Sequence, residues 1–188
     1  MHCEIKDALN KKQINEIISV GDKAQINPKR TKKHQAGVSL GTRNQCTVDL
    51  DSIEWLREHM HSLIKEAKSI IELKYDVFID ISGGVETREG EAEYCVCSTY
   101  KKGDSYAIHA DTDPSSTDEK VKARTLSVVI QLTDEKEYEG GDFYVNKNEI
   151  ISSKRQGNAL IFTSETLHGV KEITKGARRS LIFWVHKK

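Results

Sequence analysis

No charge of one sign dominates this 188-residue sequence: 29 Lys and Arg side chains balance 29 Asp and Glu. That balance removes the overall field by which a protein attracts nucleic acid or an acidic substrate, so a nucleic-acid partner is not expected. Long apolar runs are lacking too. The longest are far too short to span a bilayer, and no secretory leader pattern is read, so no membrane association is expected. Cysteine is scarce. Cys95 and Cys97 lie two apart in an apolar run, on one face of an expected strand, while Cys3 and Cys46 supply no second pair at zinc spacing. A structural zinc site is therefore not expected, and a reduced cytoplasmic compartment is. What is present, 37% apolar and 31% charged residues, is a wet but globular composition. Its length suits one domain with a real core.

The first 75 residues read as a helical support and loop region. Ile14, Ile17 and Ile18 recur at helical spacing within residues 11–20, and Gly21 follows as a C-cap. Residues 27–46 then read as a loop, with Pro28, Gly37 and Gly41 set among Lys29, Arg30, Lys32, Lys33 and Arg43. Whether this is a solvated basic loop or a substrate contact stays open. A second helix is expected over residues 52–73, opened by a capping-box-like Asp51 and Glu54. Its apolar stripe is Ile53, Leu56, Met60, Leu63, Ile64, Ala67, Ile70 and Ile71.

Beyond Tyr75 the pattern turns to strands. Residues 77–81, 93–100, 106–109, 125–132, 143–145, 159–163 and 179–186 form short runs rich in β-branched or aromatic side chains, bounded by Gly, Asp, Asn or Lys. No helical period interrupts them. The expected class is mainly β (α+β), with helices packed on one face of an antiparallel sandwich or barrel. We expect a single domain over residues 1–188, the support region filling 1–75 and the β core 76–188. Residues 111–124 are polar, with Pro and Ser, and loops of that length inside a compact domain are usually functional or mobile.

One constellation carries chemistry. In Tyr106-Ala-Ile-His109-Ala-Asp111, a His and an Asp stand two apart in an extended chain, so both can approach one ion from the same side. The pair alone is a weak signal, since a surface His beside a loop Asp reads the same way. A distant His168 follows the strand at 159–163. Two imidazoles and one carboxylate make the facial triad of non-haem iron(II) oxygenases, which leaves metal positions open. Ten residues later Arg178 leads into the apolar run Leu181-Ile-Phe-Trp184. On a strand Arg178 and Ser180 share a face while Arg179 points away. A guanidinium clamps a carboxylate bidentately, and a hydroxyl adds one bond, so this pair suits the distal carboxylate of 2-oxoglutarate.

At this point the sequence resembles the prolyl 4-hydroxylase-like branch of the Fe(II)- and 2-oxoglutarate-dependent dioxygenases, especially its small bacterial and phage members. The likeness lies in five ordered segments between Tyr94 and His186. They are Tyr100-Lys-Lys-Gly-Asp-Ser-Tyr106-Ala-Ile-His109-Ala-Asp111, Arg124-Thr-Leu-Ser-Val-Val-Ile-Gln131-Leu, Tyr138-Glu-Gly140-Gly141-Asp-Phe, Gly157-Asn-Ala-Leu-Ile-Phe162 and His168 to Arg178. The resemblance implies a double-stranded β-helix, or jelly roll, with N-terminal support helices. It assigns His109, Asp111 and His168 to iron as the catalytic triad, and Arg178 and Tyr100 to 2-oxoglutarate, beside the Ser180 already read onto the same face. It places Tyr106, Trp184, His186 and Arg124 around the substrate. Gln131 stands where other relatives carry a tyrosine for the co-substrate. Ordinary strand packing remains an alternative for Tyr100 and Tyr106, and core filling for Trp184. The Gly140-Gly141 pair reads as a tight strand entry.

The implied activity is hydroxylation of an unactivated C–H bond, with a prolyl residue of a peptide or protein as the expected substrate. Fe(II), 2-oxoglutarate and O2 are consumed or held, succinate and CO2 are released, and ascorbate (vitamin C) is a candidate reductant. Residues 27–46 and 111–124 are expected to close over the substrate as lid and rim. Three other readings stay open: hydroxylation of a free amino acid or other small molecule, a non-catalytic jelly-roll binding module, and a zinc hydrolase using the same His and Asp side chains.

Overall fold

The computed structural model describes residues 2–24, 29–35, 38–48, 52–71, 95–146 and 149–186. Strand β1 (His2–Ile5) opens the chain, followed by helix α1 (Lys11–Ala24), β2 (Lys29–Gln35), β3 (Val38–Val48) and α2 (Leu56–Ile70). After β4 (Cys95–Lys101) and β5 (Tyr106–His109), a short helix α3 (Glu119–Ala123) runs directly into β6 (Arg124–Gln131). The remaining strands are β7 (Tyr138–Gly140), β8 (Phe143–Val145), β9 (Glu149–Ile150), β10 (Ala159–Thr163), β11 (His168–Val170) and β12 (Ile173–His186).

All pairings are antiparallel. A larger sheet runs β1-β10-β6-β12-β4-β3, with β2 beyond β3, and a smaller one runs β5-β11-β8-β9. Strand β3 joins the two, because Gly41 also pairs with Tyr106 of β5. Among the described residues, strand β7 pairs with the start of β12 alone. Two curled sheets face each other as a jelly roll, the architecture expected from the sequence.

Period-2 alternation gives the larger sheet two working faces. On β12, Leu181, Phe183 and Val185 point to one side, where they pack with Cys95, Cys97, Val128, Ile130 and the buried stripe of α2. Ile14 and Ile17 of α1 join the same core. The opposite face, with Tyr100 and Phe162, meets Tyr106, Phe143 and Val170 of the smaller sheet in a second, inter-sheet core. The support helices thus cover the outside of one sheet and leave its inner face to the cavity between sheets.

Several sequence expectations are corrected. Helix α1 continues through Gly21 to Ala24, so that glycine is not a C-cap. Its reciprocal cap lies at the other end: Gln13 N donates to Asn10 Oδ1 at 3.0 Å and Asn10 N donates to Gln13 Oε1 at 2.9 Å. Helix α2 starts at Leu56 rather than Ser52, and Trp55 caps it without a side-chain bond. Ile70 is 55% exposed and leaves the stripe, while Ile71 is buried. The expected loop at 27–46 contains the strands β2 and β3. Its Lys-, Thr- and Asn-rich composition carries no strand signal, and the edge of β4 supplies the partner that makes it one. The helix α3 interrupts the expected loop at 111–124. The final strand starts at Ile173, six residues early. Helix α2 also stops at Ile70, short of the expected end at 73, and the expected strand at 77–81 and Asp51 lie outside the described residues. Among the described residues no helix is long and apolar enough to cross a membrane.

Candidate active site

His109 ends β5 and His168 opens β11, and the pairing of these strands puts the two residues directly opposite each other. Asp111 follows β5 by two residues, its N–H donating to Ser164 O at 2.9 Å. One carboxylate oxygen of Asp111 lies 3.5 Å from His109 Nε2, and the other lies 3.5 Å from His168 Nε2. One donor atom from each residue lies within 4.8 Å of the others. Three residues remote in sequence therefore converge on a volume one ion across.

The imidazoles are already oriented. His109 Nδ1 meets Ala107 O at 2.9 Å and His168 Nδ1 meets Thr166 O at 2.8 Å. A carbonyl can only accept, so each Nδ1 carries the proton and each Nε2 presents a lone pair to the centre. Phe143 stacks on His168 at 5.3 Å, and the Phe162 ring stands against it at 4.7 Å. Burial first, with the charge of His109 adding, pushes the His168 pKa down to about 4 despite the pull of Asp111. The ring is therefore neutral near pH 7, as a ligand requires. For Asp111, burial opposes ionisation, yet the adjoining His109, His168 and Ser127 side chains together hold its carboxyl well below the usual range. Two imidazoles with Nε2 turned inward and an ionised carboxylate are a donor set that fits a divalent first-row metal on one face.

The same residues line a cavity of about 380 Å³, its open mouth included, together with Tyr100, Tyr106, Arg178 and Trp184. Arg178 is 5% exposed and Ser180 fully buried, and the Ser180 hydroxyl has no protein partner. Arg179, one residue between them, points outward and pairs with Asp22 of α1 at 2.9 Å. A buried hydroxyl without a partner costs free energy unless a ligand supplies one. A carboxylate against Arg178 would do so.

Of the residues expected around a substrate, Tyr106 and Trp184 line this cavity. Arg124 lies over the Trp184 ring at 3.9 Å, donates to Asp111 O at 3.2 Å, and borders an adjoining open cleft with Thr112, Pro114 and Glu165. His186 is buried opposite Arg124 and lies outside the cavity lining. Gln131 donates to Tyr138 Oη at 3.2 Å, and that phenol lies near Arg178, whose charge opposes the rise that burial gives its pKa. Gln131 therefore reaches the Arg178 end indirectly. Tyr138, Ser127 and Arg43 are site residues that sequence reading did not assign. Only a strand register could have revealed them, since each lies far in sequence from the group it touches.

An antiparallel jelly roll built around an open two-His, one-carboxylate cluster defines a class of metal-centred β-helix proteins. Residues 95–186, just under half of the chain, match the sequence profile of the 2OG-Fe(II) oxygenase superfamily. A PKHD-type hydroxylase of Prochlorococcus marinus is 37% identical over 93 residues, a match spanning 47% of this chain and 39% of that protein. One from Pseudoalteromonas atlantica is 24% identical over 189 residues, covering 96% of this chain and 76% of its own length. In most of these curated relatives the chain thus matches about two fifths of their length. Among solved structures, a Pseudomonas putida prolyl-4-hydroxylase superposes with TM-score 0.68 at 14% identity, covering 100% of this chain and 92% of that one. A Trichoplax adhaerens prolyl hydroxylase, solved with a hypoxia inducible factor peptide fragment, gives 0.67 at 18% identity, covering 98% and 83%. At those identities the likeness is one of fold.

Proposed function

We propose that this protein is an Fe(II)- and 2-oxoglutarate-dependent dioxygenase that hydroxylates an unactivated C–H bond, with a prolyl residue of a peptide or protein as substrate. The observation that carries this reading is one cavity holding both halves of the requirement. At one end are two Nε2 lone pairs and the carboxylate of Asp111. Elsewhere in its wall are Arg178 and the unpartnered hydroxyl of Ser180. A hydrolytic zinc centre has no use for a buried carboxylate clamp, and a binding module has no use for an open triad.

In this reading His109, Asp111 and His168 hold the iron. Bound iron with 2-oxoglutarate and O2 supplies the oxidising power, with succinate and CO2 as by-products. The protein's own work is orientation and shielding. Arg178 and Ser180 grip the distal carboxylate of 2-oxoglutarate, with Tyr138 close to the guanidinium. Tyr100 donates to the co-substrate. Phe143, Val129 and Ile182 keep the cavity wall apolar, which excludes water and strengthens each charged contact inside. Tyr106 and Trp184 offer flat faces against which a proline ring packs, and Arg124, stacked on Trp184, borders the cleft along which a peptide would leave the cavity. His186 supports Arg124 from the next strand.

The support region 1–75 and the core 76–188 act as one domain, since α1 and α2 share a core with β4, β6 and β12. A cytoplasmic setting with ascorbate as reductant completes the proposal. The thiols of Cys3 and Cys95, buried and outside any disulfide, are compatible with a reduced compartment. The deciding experiment measures succinate with Fe(II), 2-oxoglutarate and O2, with and without a library of proline-containing peptides. A peptide that stimulates succinate release and gains the mass of one oxygen at proline supports the reading. Oxygen gained only on free amino acids moves the substrate to a small molecule, and no succinate under any condition defeats it.

A further inference from the structure

Tyr100 occupies an unusual place in the larger sheet. On one side its register partner is Arg178 of β12. On the other, the β3–β4 pairing runs from Val48 opposite Cys95 to Asn44 opposite Thr99, so one further step brings Arg43 level with Tyr100. The side chains follow the register. Arg43 Nη1 donates to Tyr100 Oη at 2.9 Å, and the Arg178 guanidinium lies 5.7 Å from the Tyr100 ring. Arg43 also lies over the face of Tyr106 at 4.0 Å, and that ring stands edge-on to His109 at 4.6 Å. One guanidinium thus touches both cavity tyrosines, one of them packed against a residue of the His–Asp–His cluster.

A phenol has one proton and two acceptor sites. Arg43 can only donate, so the bond it makes uses an acceptor site of Tyr100 and leaves the phenolic proton for another partner. Tyr100 is 1% exposed and lines the cavity, so that partner has to be a group inside it. A cation bound to the phenol oxygen also draws electron density from the O–H and strengthens it as a donor. We propose that Arg43 is a positioning residue of the 2-oxoglutarate site: it fixes the Tyr100 hydroxyl so that its proton points at a co-substrate carboxylate. This rests on the reading of the cavity given above. It also gives the β2–β3 hairpin a role in co-substrate binding, in a segment whose basic composition left a solvated loop and a substrate contact both open.

The test is a double-mutant cycle on binding, with no turnover involved. Wild type, Arg43→Met, Tyr100→Phe and the double variant are loaded with Zn(II) as a redox-inert occupant, and 2-oxoglutarate is titrated by calorimetry. Thermal melting and Zn(II) affinity, measured separately, show that each variant is folded and holds metal. Each single variant is expected to bind 2-oxoglutarate about tenfold more weakly. The double variant should be no more than about twofold weaker than either single one, since both remove the same donor. Arg43→Lys, which keeps a cationic donor, should recover most of the loss. Multiplying effects, or wild-type affinity in a folded Arg43→Met protein, would overturn the role of Arg43 alone. Failure of the Zn(II)-loaded wild type to bind 2-oxoglutarate would instead overturn the reading of the cavity, and this inference with it.

Discussion

His109 and His168 face each other across the β5–β11 pairing, and each ring is held through Nδ1 by the main-chain carbonyl two residues before it. The two ligands are thus locked by the same local device on two antiparallel strands, and their Nε2 atoms point at one carboxylate. Backbone carbonyls do not rearrange cheaply, so the tautomer is set before any metal arrives.

Removing either imaged donor should empty the centre. His109→Ala is expected to lower Fe(II) or Co(II) affinity by at least about 100-fold and to abolish succinate release. Arg178→Ala should keep metal affinity within about twofold and raise the 2-oxoglutarate KM by roughly 10- to 100-fold, the loss of a charged hydrogen-bonded partner. Equilibrium dialysis and initial-rate kinetics separate the two effects. Wild-type values in both variants would show that the site is elsewhere.

Proton release should link His168 to stability. In the metal-free protein its pKa stands at about 4, below the ordinary 6.5 of the open chain, chiefly through burial. Between those values the unfolded chain binds the extra proton and the folded chain does not, so stability rises with pH. The contribution of the neutral ring is complete above about pH 6.5 and is lost as pH falls toward 4. Urea unfolding of metal-free protein across this window should show the decline, and His168→Gln should flatten it. Identical slopes for the two proteins would contradict the assignment.

Gly140 should be the less replaceable of the paired glycines. Both have positive φ, at 76° and 66°. A Cβ on Gly140 would strike the main-chain carbonyl of Glu172, whereas one on Gly141 meets the side-chain ends of Ile173, Arg178 and Tyr138. Backbone cannot move aside as a side chain can. Gly140→Ala is expected to cost about 2–4 kcal/mol and Gly141→Ala about 1–2 kcal/mol, read from urea midpoints. The Gly141 variant should also weaken 2-oxoglutarate binding, because its new methyl group presses on Arg178. The opposite order of stability losses would refute the steric account.

The buried thiols should report global opening. Cys95 is 1% exposed, packs its sulfur 3.6 Å from Met60 Sδ, and has its pKa pushed far up by burial. With Cys97 it sits between β4 and the helices. Under native conditions a thiol reagent should modify Cys95 and Cys97 at a rate set by unfolding. Met60→Ala, which opens a cavity beside Cys95, should cost about 2–5 kcal/mol and speed labelling. Mass spectrometry after timed labelling gives the answer. Immediate modification of Cys95 in the folded protein would refute its burial.

The legible part of this protein was the part written in local pattern. Runs rich in β-branched and aromatic side chains at 125–132 and 159–163 announced strands that lie one residue or less from their observed bounds. The two-residue spacing of His109 and Asp111 and the ten-residue step from His168 to Arg178 carried the family resemblance. The β2–β3 hairpin was illegible because its polar residues have little strand preference of their own, and pairing with β4 supplies the missing hydrogen-bond partners. The same holds for β7 and β11, three residues each, the first paired with β12 and the second held between β5 and β8.

By itself, then, the sequence determined which chemistry is on offer: the donor types, their parity on each strand, and the apolar faces that drive two sheets and two helices together. Those are properties of a side chain and its near neighbours, and period and spacing express them directly. Only the tertiary structure decided that Arg43 meets Tyr100, that Tyr138 lies near Arg178, and that Ser180 ends without a partner in a cavity wall. These depend on strand register between segments distant in the chain, where a shift of one residue would turn every inward group outward.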